Sequence, residues 1–277
     1  MKAALLQLSS SDDPHANLSV TKGLVAKASS HGAGFVLTPE VTNCVSTNRA
    51  QQNKVLCHQD DDPTLAALRQ QAEALQIWLL IGSLALKTND ADERFANRSF
   101  LISPTGKIAA WYDKVHMFDV AVSEAENYHE SAGYRPGAHA VVAQTPFAQI
   151  GLTVCYDVRF PTLFRTLAQA GAEILTVPSA FSPVTGAAHW ETLLRARAIE
   201  TGSYVLAPAQ TGRHAVSKGR ARETYGHTMV IGPWGDVLAD AGTDPGVVFV
   251  DLDRDNVVQA RARIPSLQDA NRFTGPS

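Results

Sequence analysis

Three side chains in this sequence have the types needed to act together on a substrate: Glu40 in VLTPEVTN, Lys114 in AAWYDKVHMFD and Cys155 in LTVCYDVRFP. Each follows an apolar, strand-like run, so each is expected at the C-terminal end of a strand, where α/β sheets present groups to a crevice. A thiol in mid-strand packs as a small hydrophobe, whereas one at the strand end meets whatever binds beyond it. With its ordinary pKa of about 8.5, a free thiol is only a few per cent thiolate at neutral pH. An adjacent ammonium and a proton-accepting carboxylate activate it, and Lys114 and Glu40 supply one of each.

The elements that must position these groups alternate along the chain. The first half reads as strand 2–8, helix about 15–31, strand 34–39, helix 63–76, strand 78–86 and a hairpin over 98–112. Leu65, Leu68, Ala72 and Leu75 recur at helical steps, and the Pro and Gly of SPTGK mark the hairpin turn. The second half repeats the order: strand 149–154, helix 160–171, strand 173–178, helix 189–202, strand 203–208 and a hairpin over 227–240. Local words align too, FVLTPE with ILTVPS and FLISPTGKIAAWYD with MVIGPWGDVLADAG.

The chain therefore reads as one domain over 1–277, with halves of about 1–116 and 147–252 that each carry a β-α-β-α-β-β unit. The expected fold is α/β, a four-layer α-β-β-α sandwich built from that duplicated unit. His189 is expected to open its helix, with Trp190, Leu193, Leu194 and Ile199 as a core-facing stripe. The segment 117–138 has few large apolar residues and is expected to form a partial lid.

With 45% hydrophobic and 18% charged residues, the chain has enough apolar material for a large core. Its net charge of -3 gives no global attraction to nucleic acid or an anionic membrane surface. Cys44, Cys57 and Cys155 have no paired spacing, which fits neither a disulfide framework nor a zinc cluster. The N-terminal MKAALLQLSSSDDPH reaches two aspartates too soon for a signal peptide. The expectation is a cytoplasmic protein acting on a small molecule, with no nucleic acid, membrane or metal partner.

With its three motifs in this order and spacing, the chain resembles the nitrilase superfamily of carbon–nitrogen hydrolases, over nearly its whole length. That resemblance implies a Glu40-Lys114-Cys155 triad, a thioester intermediate and no metal or organic cofactor. Glu40 would move the protons, while the Lys114 ammonium and the Tyr156 backbone N–H would hold the oxyanion. The setting NYHESAGYRPG carries the family's second glutamate over to Glu130, as a group that positions Lys114. The superfamily also implies a homodimer or larger homo-oligomer.

The words CYDVRFPTL, TVPSAFSPVTGAAHWETLLRARAIET, AQTGRH and YGHTMVIGPWGDVLA resemble the deaminated glutathione amidase branch. The implied reaction releases 2-oxoglutarate and cysteinylglycine, a metabolite repair. True nitrilases typically carry Trp-Glu where this chain has Tyr156 and Asp157. The enzymatic alternative is an omega-amidase acting on 2-oxoglutaramate or 2-oxosuccinamate, a branch that often has Ala at the position of Pro161 and Gly at that of Ser179. A more remote one is a non-catalytic binding or redox-sensing protein that uses Cys155 as a switch.

For an anionic substrate, the loop TGRHAVSKGRARETYGH offers Arg213, Lys218, Arg220 and Arg222 against one glutamate. Arg213 is taken as its substrate contact. Arg159, four residues past the thiol, is a second carboxylate contact with a scaffold role as its alternative. Phe181 and Thr185 are expected in the pocket wall.

Overall fold

The computed structural model describes residues 1–121 and 127–268. The chain runs β1 (Lys2–Gln7), α1 (Pro14–Ser30), β2 (Phe35–Leu37), α2 (Arg49–Val55), α3 (Pro63–Leu75), β3 (Trp78–Leu86), β4 (Ala96–Ile102) and β5 (Ile108–Asp113). Three short strands come next, β6 (Asp119–Ala121), β7 (Asn127–His129) and β8 (Val141–Gln144). Then come β9 (Gln149–Leu152), α4 (Pro161–Gln169), β10 (Ile174–Thr176), α5 (Pro183–Thr201) and β11 (Tyr204–Ala207). The rest comprises β12 (Thr211–Arg213), β13 (Glu223–Tyr225), β14 (Met229–Ile231), β15 (Val237–Asp240), β16 (Gly246–Asp251) and α6 (Arg254–Arg263).

Two six-stranded sheets result, ordered β16-β1-β2-β3-β4-β5 and β15-β14-β11-β10-β9-β8. In each, three parallel strands joined through helices continue into an antiparallel hairpin, β1-β2-β3 into β4-β5 and β9-β10-β11 into β14-β15. Side-chain alternation divides the first sheet between two cores. Leu5, Phe35, Leu37 and Leu80 pack with Ile150, Leu152, Leu175 and Leu206 of the second sheet, while Leu6, Val36, Leu79 and Ile81 pack under Leu65, Leu68 and Ala72 of α3. Trp190 and Leu194 of α5 cover the second sheet from outside. The layers are α-β-β-α.

The structure adds one pairing and corrects two expectations. β16 comes from the end of the second half but pairs antiparallel with β1 across Lys2–Asp251 to Gln7–Gly246, so the two sheets do not divide cleanly between the halves. Helix α5 opens at Pro183, six residues before His189, because proline suits the first helical turn, where its missing N–H is not needed. Ile199 is 54% exposed rather than in the core stripe that keeps Trp190 and Leu194. The segment expected as a lid contains the β6-β7 hairpin and a 3-10 turn at Glu130–Ala132, and its residues 122–126 lie outside the described ones. Among the described residues, no helix is long and apolar enough to cross a membrane.

Candidate active site

Glu40 stands just beyond β2, on a loop held against β3 by an unusually close approach. A Cβ on Gly82 would fall 2.0 Å from the Thr38 carbonyl oxygen and 2.6 Å from that of Pro39, so this crossing needs glycine. The Gly82 N–H donates to Thr38 Oγ1 at 3.0 Å and the Val41 N–H to Ser83 Oγ at 2.8 Å. The Glu40 carboxylate is then fixed from three sides. Oε1 accepts from Asn97 Nδ2 at 2.8 Å and Lys114 Nζ at 2.9 Å, and Oε2 accepts from the Ala180 N–H at 2.8 Å.

Lys114 follows β5 and is 2% exposed. Besides Glu40, its ammonium meets both oxygens of Glu130 at 2.8 Å. Glu130 is held in turn by the Phe118 N–H at 2.7 Å. Two carboxylates thus share one buried cation. Burial alone would lower the Lys114 pKa, but Glu130 and then Glu40 outweigh it and hold it well above the ordinary lysine range. This lysine is an ammonium and not a base.

Cys155 opens the 3-10 turn Cys155–Arg159, between β9 and α4, with φ of 51°. That left-handed conformation is costly for a residue with a Cβ, and it turns the thiol out of the strand into the cavity. The turn is tied down by the Cys155 N–H to the Pro178 carbonyl at 3.0 Å and the Val154 N–H to Asp157 Oδ2 at 2.8 Å. Burial first, then the neighbouring Glu40, push the thiol pKa up, with Lys114 opposing them. For Glu40, burial pulls upward, yet Lys114 and Arg222 together hold it below the usual carboxylate range. Burial and charge thus favour the protonated form of the Cys155 thiol and the ionised form of the Glu40 carboxylate.

Asp157 connects the segments that carry Lys114 and Cys155. It is fully buried and also accepts from Tyr112 Oη at 2.7 Å and the His116 N–H at 3.0 Å, with His116 Nδ1 at 2.7 Å. Tyr112 and His116 flank Lys114 by two residues on either side, so one carboxylate sets the register between lysine and cysteine. An amide in its place presents an N–H₂ to groups that are themselves donors. Asp157→Asn is therefore expected to cost about 2–3 kcal/mol of stability and to lower kcat, checked by thermal unfolding and steady-state rates on one preparation. An unchanged melting temperature counts against this bridge.

A cavity of about 440 Å³ joins these groups, within the size range of small-molecule sites. Glu40, Lys114, Glu130, Cys155, Tyr156 and Phe181 all line it. The N–H groups flanking that of Tyr156 are bonded to Pro178 and Val154 carbonyls, and none of the described residues accepts from Tyr156 itself. Three other expected contacts fall elsewhere. Arg159 lies outside the lining, with its guanidinium 3.3 Å from His189 Nδ1 and 5.4 Å from the Phe181 ring centroid. Thr185 sits in the first turn of α5, away from the lining. Arg213 is exposed on β12, and of the basic loop it is Arg222 that reaches the cavity.

The sequence gives Asn97 no role and marks Asp157 only as a difference from the Trp-Glu pair of true nitrilases. The signal for Asn97 was a polar residue in β4, ANRSFLI, the strand whose second half is the apolar run FLI, and for Asp157 an acid inside CYDVRF. Each is a polar side chain where the pattern demands burial, which requires a bonded partner.

Residues 2–262 match the carbon-nitrogen hydrolase family. The chain belongs to that family. It is 39% identical over 271 residues to a deaminated glutathione amidase of Yersinia enterocolitica, covering 98% of this chain and 92% of that one. The human deaminated glutathione amidase is 38% identical, with 96% of this chain and 80% of that one covered. Among solved structures, the C. elegans NitFhit protein superposes with a TM-score of 0.88 at 34% identity, over 97% of this chain and 64% of that one. An amidase from Nesterenkonia sp. AN1, captured with acrylamide added to its active-site cysteine, gives 0.77 at 29%, over 96% of this chain and 98% of that one.

Proposed function

We propose that this carbon–nitrogen hydrolase cleaves the amide of deaminated glutathione, releasing 2-oxoglutarate and cysteinylglycine, with Cys155 as nucleophile. The observation that carries the reading is the gathering of the buried Cys155 thiol, the Glu40 carboxylate and the Lys114 ammonium, itself held by Glu40 and Glu130, on one substrate-sized cavity. Full-length relatives named for this reaction support the substrate.

Proton transfer from a raised thiol to a lowered carboxylate is uphill on its own, so it must accompany carbon–sulfur bond formation. Cys155 Sγ attacks the amide carbonyl as Glu40 takes its proton, and the negative charge moves to the carbonyl oxygen. The Tyr156 N–H and the Lys114 ammonium receive that charge. Lys114 points at three carboxylate oxygens in the resting site, so it must release one, and the two-oxygen contact with Glu130 leaves the other holding it. Collapse expels the amine, which takes the proton from Glu40 and leaves the thioester. Glu40 then deprotonates water for the second attack, and the thiol regains that proton on release.

The reading includes a homodimer in the cytoplasm. Exposed Ile199, Trp234, Leu238 and Ile264 offer apolar surface for a second copy. Three unpaired cysteines suit a reducing compartment.

The deciding experiment measures 2-oxoglutarate released by the purified protein from deaminated glutathione and from 2-oxoglutaramate. The expected result is a higher kcat/KM for deaminated glutathione. The reverse preference makes the protein an omega-amidase instead.

A further inference from the structure

The cavity holds more positive charge than the hydrolytic chemistry uses. Among the described lining residues, Lys114, Arg49 and Arg222 face Glu40 and Glu130, an excess of one positive charge. Lys114 engages both carboxylates. Neither arginine has an ion-pair partner among the described residues. Arg49 donates to the Gly133 carbonyl at 3.0 Å and to the Glu93 carbonyl, and Arg222 donates to the Ala180 carbonyl. Backbone carbonyls fix a guanidinium's orientation without neutralising it, which prepares it for an arriving anion. Arg222 Nε is moreover buried without a hydrogen-bond partner.

Two contacts bring these arginines to one wall. Asn48, the residue before α2, donates to the Lys218 carbonyl at 3.5 Å, and Thr47 donates to that of Arg220 at the same distance. These bonds lay the loop carrying Arg222 against the helix start carrying Arg49. On the catalytic side, Ala180 receives Arg222 at its carbonyl and gives its N–H to Glu40 Oε2. Arg222 thus stands one residue's width from the acid that must protonate the departing nitrogen, and its charge helps hold Glu40 ionised.

We infer that Arg49 and Arg222 form a carboxylate subsite for the leaving amine, selecting amides whose departing nitrogen carries a short chain ending in a carboxylate. The inference rests on the proposed substrate. Cysteinylglycine carries its carboxylate two residues out, roughly 7 Å of extended chain, whereas the ammonia released from 2-oxoglutaramate carries none.

The test uses three substrates: deaminated glutathione, its methyl ester at the glycyl carboxylate, and 2-oxoglutaramate. The proteins compared are the wild type, Arg49→Gln and Arg222→Gln. Esterification is expected to lower the wild-type kcat/KM by about 10-fold or more, chiefly through KM. Each variant should lose a similar factor on deaminated glutathione relative to 2-oxoglutaramate, and esterification should then cost it little more. Circular dichroism reports folding; because Arg222 also supports Glu40, its variant is judged by the ratio of the two substrates, and Arg49→Gln carries the test alone should Arg222→Gln lose both activities or fail to fold. Equal penalties for esterification in wild type and variants overturn the subsite alone. A wild type that cleaves 2-oxoglutaramate but not deaminated glutathione overturns the substrate reading and the subsite together.

Discussion

Cys155→Ala is expected to remove amide hydrolysis by at least about 10³-fold, and Cys155→Gly to do the same while yielding a more stable protein than the Ala variant. Loss of the nucleophile explains the first half. The other cavity thiol, Cys44, cannot replace it, because its charged neighbours are Asp12 and Asp13, with no ammonium among them to stabilise a thiolate or an oxyanion. The second half comes from backbone conformation. At φ of 51°, a residue with a Cβ is strained by about 1–2 kcal/mol, and glycine is not. Elsewhere, glycine in place of alanine costs stability, so the expected sign is inverted here, by about 1 kcal/mol. Thermal unfolding of the two variants checks it. An Ala variant at least as stable as the Gly variant shows that Cys155 is not held in this conformation.

How much of this was legible in the sequence depends on whether a feature is local. The strands ending at Glu40 and Cys155 and the helical period of Leu65, Leu68 and Ala72 are local patterns, and the structure forms them. Short strands such as β12 and β13 have little pattern to read, and β16 is defined by its partner β1 at the other end of the chain. The start of α5 is misread for a different reason. Proline reads as a breaker until it is recognised as a first-turn residue, and that recognition needs the helical residues beyond it.

The candidate site shows the same division. Glu40, Lys114 and Cys155 were legible because each ends an apolar run, and the structure brings all three to one cavity. Their second partners were not. Nothing adjacent in sequence says that Asp157 bonds Tyr112 and His116, 45 and 41 residues away, or that Asn97 joins Glu40. The basic loop posed a related difficulty, since Arg213 and Arg222 have equal claim by composition. Only the path of the strand pair decides. Arg213 ends β12 facing solvent, while Arg222, just before β13, turns inward to Ala180.

Lys114→Met is expected to inactivate the enzyme and to destabilise it by about 3–5 kcal/mol near neutral pH, because it leaves Glu40 and Glu130 without their shared cation. Both carboxylates then meet only through Asn97 Nδ2, at 2.8 and 3.4 Å. The effect has a definite pH signature. In the wild type the folded pKa of Glu40 is lowered, so its contribution to stability is present above the ordinary carboxylate pKa and is lost as pH falls. Without Lys114, burial becomes the dominant influence and raises that pKa. The ionised carboxylate then opposes folding at neutral pH, and protonation relieves it. The gap in melting temperature between wild type and variant should therefore be widest around pH 8 and shrink towards pH 5. Adding Glu40→Gln to Lys114→Met removes one of the two stranded charges, so the double variant should be more stable than Lys114→Met alone, a non-additivity expected of groups in direct contact. A gap independent of pH, with no recovery in the double variant, assigns the loss to packing of the lysine stem rather than to its charge.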